Sequence, residues 1–288
     1  MDPVFWDRSF GCAERGEDVV VDTEERLPGG NLSSRVVRVG ATVRRPVGPW
    51  TPAVHALLNH LHAVGFDGAP RVLGLDDAGR EILEYIPGEM AWDERHHQLL
   101  GADQAVQQAG ALLRRFHDAV ANFAPPADAV WRFPEMEADS DAWVGPTGKI
   151  ICHNDPAAWN LVIGPDRWAF IDWDVAGPRP YIWDVAYAAI GIIPITPDAS
   201  HEGWTQSPPC GSRLRALAEG YGLDDQDRAR LPQVIVARIR SSLEHMRTRA
   251  TAGIGPWDHM WKEGHGDSWI AMLAFAERHA EAWLRDLR

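Results

Sequence analysis

Between Val19 and Pro46 the apolar residues come in short β-branched runs broken by turn formers: Val19-Val20-Val21, a Leu27-Pro28-Gly29-Gly30-Asn31 turn, then Arg35–Val39 and Ala41–Arg45 around Gly40. Blocks of this kind predict strands. At Thr51 the spacing changes. Val54, Leu57, Leu58, Leu61 and Val64 share one face of a helix that Thr51 caps, Pro52 opens and Gly65 ends. Val72–Leu75 and Glu81–Ile86 read as two more strands around an Asp76-Asp77-Ala78-Gly79 turn, and Pro87-Gly88-Glu89 breaks the pattern. Beyond it the chain is mostly helical: Asp103–Val120, Tyr181–Ile193, Arg213–Tyr221, Asp227–Thr251 and His265–Leu287 carry apolar faces. Two short apolar strands, Ile150–Cys152 and Trp168–Ile171, interrupt the helices, and the intervening Gly164-Pro165-Asp166 turn predicts that they pair as a hairpin. The pattern therefore predicts an α+β chain, β-rich over residues 1–86 and mostly helical over 87–288, with a hinge near Tyr85–Gly88.

Composition narrows the partners. Acidic residues outnumber basic ones by 41 to 28, a formal net charge of −13 that repels nucleic acid and anionic lipid and attracts cations. The same acidity serves equally to keep a cytoplasmic protein in solution. The longest apolar run, Val185–Ile193, ends at Pro194 and is too short to span a bilayer. The N-terminus has no basic or apolar leader, so a cytoplasmic chain is expected. Cys12, Cys152 and Cys210 are three scattered thiols with no paired spacing, and His96-His97 and His60-x-His62 lack the residues that would complete a zinc site. Lysine occurs only at positions 149 and 262.

The chemistry concentrates between Ile150 and Val185. His153, Asp155 and Asn160 follow one buried strand, and Asp172 and Asp174 follow the next. Phosphoryl transfer needs such a set: one carboxylate to take or orient a hydroxyl proton, and an amide oxygen with a second carboxylate to hold Mg²⁺, which prefers hard oxygen ligands. Asp174 reads either as a further metal carboxylate or as an exposed turn residue. No G-x-S-x-G elbow is present, which argues against serine hydrolysis.

His153-Asn154-Asp155 through Asn160, the H-x-D-x-x-x-x-N pattern, resembles the catalytic loop of the aminoglycoside phosphotransferase family and of protein kinases. Ile171-Asp172-Trp173 resembles the small-molecule branch, as does Trp183-Asp184-Val185-Ala186, and Glu84-Tyr85-Ile86-Pro87-Gly88-Glu89 is similar to the hinge of these enzymes. The matches span Leu27 to about Ala188. The resemblance implies a protein-kinase-like two-lobed fold, with residues 1–86 as nucleotide-binding lobe and 87–288 as catalytic and substrate-binding lobe. It also implies Mg-dependent transfer from ATP, or GTP, to a hydroxyl of an aminoglycoside, another antibiotic, or a sugar- or choline-like metabolite. Asp155 would be the base, Asn160 and Asp172 Mg²⁺ ligands, and His153 a brace for the loop. Asp184 would hold the loop backbone, and Glu84, Tyr85 and Ile86 would meet the adenine.

The chain also departs from the family. The family's phosphate-gripping lysine and its helical glutamate partner are both missing. Arg44 or Arg45 stands where the lysine should be, Arg44 being favoured because it shares a strand face with Thr42. The helix offers His55, Asn59, His60 and His62 but no glutamate. Gly29–Ser34, with Ser33, would cover the phosphates or form a plain hairpin turn. The departures keep open a kinase-like binding or immunity protein without turnover. Trp257, Trp261 and Trp269 line an acceptor pocket or, as favoured, pack helices together. The acidic charge tilts the expected acceptor towards a cationic small molecule, bound by a monomer or homodimer.

Overall fold

The computed structural model describes residues 23–27, 35–92, 95–136, 138–206 and 208–288. The Val19–Val21 strand, the whole Gly29–Ser34 loop with Ser33, and Cys12 lie outside them.

The N-terminal region is a five-stranded antiparallel sheet in the order β1-β2-β3-β5-β4, built from β1 (Glu25–Arg26), β2 (Val37–Val39), β3 (Thr42–Arg45), β4 (Val72–Leu75) and β5 (Glu81–Glu84). Helix α1 (Thr51–Ala63) crosses between β3 and β4 and buries Val54, Leu57, Leu58 and Leu61. The helix begins one residue earlier than the Thr51 cap implied. The Thr51 hydroxyl instead accepts the Gly48 amide at 2.9 Å, closing the turn that leads into it. Beyond Asp76, the Gly79 turn adopts φ +75°, a conformation that glycine reaches without strain.

The C-terminal region is mostly helical: α2 (Arg95–Leu100), α3 (Asp103–Ala119), α4 (Tyr181–Ile192), α5 (Cys210–Tyr221), α6 (Asp225–Thr251), α7 (Trp257–Lys262) and α8 (His265–Leu287). Asp224 caps α6 by accepting the Asp227 amide at 2.8 Å, so that helix starts before the predicted Asp227. Helices α3 and α5 meet backbone to backbone. A Cβ on Gly220 would lie 2.0 Å from the Gln107 carbonyl, and one on Gly110 would lie 2.5 Å from that of Leu217. One continuous apolar core runs from Leu57 and Leu61 through Phe116, Trp173 and Trp183 to Leu231 and Trp283.

The predicted hairpin between Ile150–Cys152 and Trp168–Ile171 is replaced by two separate ribbons. Strand β7 (Ile150–Cys152) pairs with β10 (Gly177–Arg179), while β9 (Trp168–Phe170) pairs with β8 (Leu161–Ile163). Strand β6 (Glu89–Met90) completes the β8–β9 ribbon. The Gly164 turn thus joins β8 to β9. Leu161–Ile163, which the hairpin reading did not assign to a strand, follows directly on the polar stretch it supports.

Candidate active site

The loop between β7 and β8 is set by a buried carboxylate. Asp184, near the start of α4, is fully buried and accepts the backbone amides of His153 at 2.9 Å and Asn154 at 2.8 Å, with His117 Nε2 3.0 Å away. Burial alone would raise its pKa, but these donors outweigh it and hold the carboxyl below its ordinary value. His117 in turn meets the Tyr221 hydroxyl at 2.7 Å, so the cluster of His117, Cys152 and Asp184 is a hydrogen-bonded brace with its donors and acceptors already engaged. Asn154 takes φ +67°, which a short polar side chain tolerates.

His153 ties this loop to the next strand. Its Nε2 lies 3.0 Å from the Ile171 carbonyl and its Nδ1 accepts the Asp155 amide at 3.3 Å. That pattern calls for a neutral ring protonated on Nε2, and burial lowers its pKa accordingly. The ring packs on Trp173, centroids 4.5 Å apart, which fixes Asp172 in register beside it.

Asp155, Asn160 and Asp172 are brought together, as their order along the chain suggested. The Asn160 amide nitrogen donates to the Asp155 carbonyl at 3.0 Å and to its Oδ2 at 2.8 Å. The Asn160 carbonyl accepts the Ile171 amide at 2.8 Å, joining the loop to the residue before Asp172. Asp155 Oδ1 is buried with no hydrogen-bond partner. Burial first, then the charge of Asp172, pushes the Asp155 pKa up to about 7. Such a carboxyl can exchange a proton near neutrality.

The strand-β3 arginine that turns inward is Arg45, not Arg44. Arg44 faces Asp76 at 3.8 Å on the other side of the sheet. Arg45 is 6% exposed and spends every nitrogen on a carboxylate: Nε on Glu81 at 2.6 Å, NH1 on Asp172 at 2.8 Å and NH2 on Asp174 at 2.7 Å. Burial opposes its charge, but Asp174, Asp172 and Glu81 outweigh that and hold its pKa above the usual value. The missing helical glutamate is replaced from the sheet: Glu81 lies opposite Arg45 in the β3–β5 register, and its second oxygen meets His55 of α1 at 2.7 Å. Sequence reasoning missed Glu81, because only the register of two strands distant in sequence pairs it with Arg45.

The same geometry separates the three aspartates. Asn160 keeps an amide oxygen, and Asp172 keeps one carboxylate oxygen beside the one held by Arg45, which is a donor set suited to a divalent cation. Asp174 does not fit that role. Arg45 holds its Oδ1 and Arg132 holds its Oδ2 at 2.9 Å. Arg132, from the segment after α3, is a second residue that the sequence gave no reason to select.

At the hinge, Glu84 and Tyr85 commit their amides to the sheet, donating to the Arg71 and Ala41 carbonyls at 2.9 and 3.0 Å. The Glu84 carboxylate pairs with Arg167 at 2.8 Å, and Arg38 stacks on the Tyr85 ring at 4.0 Å. The Ile86 amide has no such bond among the described residues. Of the C-terminal tryptophans, Trp257 packs edge-on against His245, Trp261 covers Gly266 and Trp269 lies against the main core, so all three pack helices. No described helix is long and apolar enough to cross a membrane.

A buried loop of this build, between a small antiparallel sheet and a helical region, defines a kinase-like phosphotransferase fold. The profile of the APH phosphotransferase enzyme family matches residues 123–232. The trifolitoxin immunity protein of Rhizobium leguminosarum bv. trifolii is 35% identical over 211 residues, covering 70% of this chain and 75% of that one. A choline/ethanolamine kinase family protein from Mesorhizobium loti superposes with a TM-score of 0.61 at 16% identity, covering 93% of each chain. The aminoglycoside 2'-phosphotransferase-IIIa structure gives 0.55 at 12% identity, covering 93% of this chain and 94% of that one. The chain belongs to the aminoglycoside phosphotransferase family.

Proposed function

We propose that the chain transfers a phosphoryl group from a nucleoside triphosphate, ATP with Mg²⁺ or alternatively GTP, to a hydroxyl of a small molecule in the cytoplasm. The observation that carries this reading is the hydrogen-bonded unit of Asp155, Asn160 and the Ile171–Asp172 strand end. In it Asp155 accepts the acceptor's proton, and its pKa of about 7 suits that work. Asn160 and Asp172 would hold the cation, whose chemistry is to neutralise charge on the phosphate oxygens. His153 and Asp184 keep the loop in place, and the Ile86 amide meets the adenine. A solved amicoumacin kinase of the same fold, at 13% identity and TM-score 0.57 over 90% of this chain and 88% of that one, is in complex with AMP-PNP and Ca²⁺, which supports nucleotide and divalent metal as the ligands. Aminoglycosides, other antibiotics, amino sugars and choline-like alcohols are the acceptors to test, with a cationic one favoured by the net charge of −13.

The test is a phosphotransfer screen by mass spectrometry with Mg-ATP or Mg-GTP and a pooled acceptor panel, with Asp155→Asn as control. A product made by the wild type and absent with Asp155→Asn is expected. Equal product from the variant removes Asp155 as the base.

A second reading is a kinase-like immunity protein that holds its ligand without turnover. Its support is the 35% identity to the trifolitoxin immunity protein, together with an Arg45 already saturated by carboxylates. Nucleotide binding with no product from any acceptor favours that reading.

A further inference from the structure

The family's gripping lysine has no counterpart among the lysines of this chain, and Arg45, which stands in its place, has a carboxylate on each of its three nitrogens. A guanidinium so engaged, at 6% exposure, has little left to offer a ligand. Arg132 is in the opposite condition. It makes one ion pair, NH1 to Asp174 Oδ2 at 2.9 Å, and its Nε and NH2 donate no hydrogen bond to the described residues. Its side chain is 14% exposed, and neither of those nitrogens is among the buried side-chain atoms left without a partner, so both donors remain open to solvent.

The Arg132 guanidinium is also held in one orientation. It lies over the Trp50 ring at 4.3 Å. That indole is itself pinned, for a Cβ on Gly48 would come within 2.5 Å of it, so the turn before α1 leaves room for the ring by having no side chain there. A planar donor fork, fixed by stacking and singly paired to Asp174, two residues along from the carboxylate that would hold the cation, matches the geometry that recognises phosphate oxygens.

We propose that Arg132 is the phosphate-gripping residue of this chain, receiving the nucleotide's phosphate oxygens in the role left by the missing lysine, while Arg45 serves as the internal counter-ion of Asp172 and Asp174. The proposal rests on the nucleotide-binding reading above. Arg132 belongs to the segment after α3 and not to the sheet strand on which the family's lysine stands.

The test is calorimetric binding of AMP-PNP with Mg²⁺, and of adenosine, to the wild type, Arg132→Gln, Arg132→Lys and Arg249→Gln. Arg249, paired with Glu135 nearby, serves to match the loss of charge without touching Asp174. Losing a charge-assisted hydrogen-bonding pair is expected to weaken AMP-PNP about 10- to 100-fold in Arg132→Gln. Adenosine affinity is expected to change less than about 2-fold, Arg132→Lys to recover part of the loss, and Arg249→Gln to bind AMP-PNP like the wild type. Unchanged AMP-PNP affinity in Arg132→Gln overturns the proposal alone. So does an equal loss for adenosine, which marks a structural role, or an equal loss in Arg249→Gln, which marks a general field effect. A wild type that binds neither ligand overturns the proposal together with the nucleotide-binding reading.

Discussion

Arg45 and Glu81 face each other across β3 and β5, with Nε and Oε1 2.6 Å apart and both residues buried. This cross-strand pair couples the sheet to the active-site turn, because the remaining nitrogens of the same guanidinium hold Asp172 and Asp174.

Removing the arginine leaves three carboxylates without their shared partner. Arg45→Ala is expected to destabilise the protein by about 3–5 kcal/mol. Arg45→Lys is expected to recover only part of this, since one ammonium does not reproduce a fork that reaches three acceptors. Urea unfolding of both variants checks the order. Equal stability of Arg45→Lys and the wild type would show that charge alone, without geometry, accounts for the hub.

Asp184 accepts two consecutive backbone amides from a fully buried position. Asp184→Ala strands both amides and the His117 ring, for an expected loss of about 3–5 kcal/mol. Hydrogen exchange at His153 and Asn154 is expected to speed up in the variant more than exchange in α6. A uniform change across the molecule would mean that Asp184 acts on global stability and not on the loop.

How much of this was legible beforehand depends on sequence distance. The Asp155, Asn160 and Asp172 set could be read because its members lie on one loop and the strand end that follows. The helices α3, α4, α5, α6 and α8 could be read from apolar spacing to within a few residues. The strand pairing of β7 could not: its partner β10, Gly-Pro-Arg, carries no β-branched signature, and a proline is tolerated because the ribbon has only two strands. Glu81 and Arg132 were invisible for the same kind of reason, since each meets its charged partner only across tens of residues. The choice between Arg44 and Arg45 failed because strand alternation says that two neighbours point opposite ways, and not which of them points inward.

His245 supplies a pH dependence. Burial first, then the nearby charge of Arg249, lowers its pKa from 6.5 to about 4. The unfolded chain therefore binds this proton at a higher pH than the folded one, and the folded state is penalised as pH falls. Stability is expected to be complete above about pH 6.5 and to decline towards pH 4, with His245→Gln showing a shallower decline over that window. Melting temperatures between pH 7 and pH 4 check it. Parallel curves for the two proteins would assign the decline to other groups.

The α3–α5 contact gives a steric prediction. Gly220→Ala would place a methyl 2.0 Å from the Gln107 carbonyl, a backbone atom that has no rotamer to change. The helices must separate, at an expected cost of about 1–3 kcal/mol. Gly222→Ala, where a Cβ meets nothing within 4 Å but φ is +79°, tests strain without a clash and is expected to lose less. Chemical denaturation of the pair separates the two effects.

The guanidinium at position 45 has a further consequence, for detection. Reagents that report kinases by acylating the ε-amine beside a bound nucleotide need a lysine there. This chain has none before Lys149, which pairs with Asp141, while Lys262 is exposed beside Asp258 on α7. Guanidinium groups resist such acylation at neutral pH because they hold their protons. An amine-reactive nucleotide probe is therefore expected to leave the N-terminal sheet of this chain unlabelled, and arginine-selective dicarbonyl reagents are expected to spare Arg45 as well, because its guanidinium is 6% exposed and held by three carboxylates.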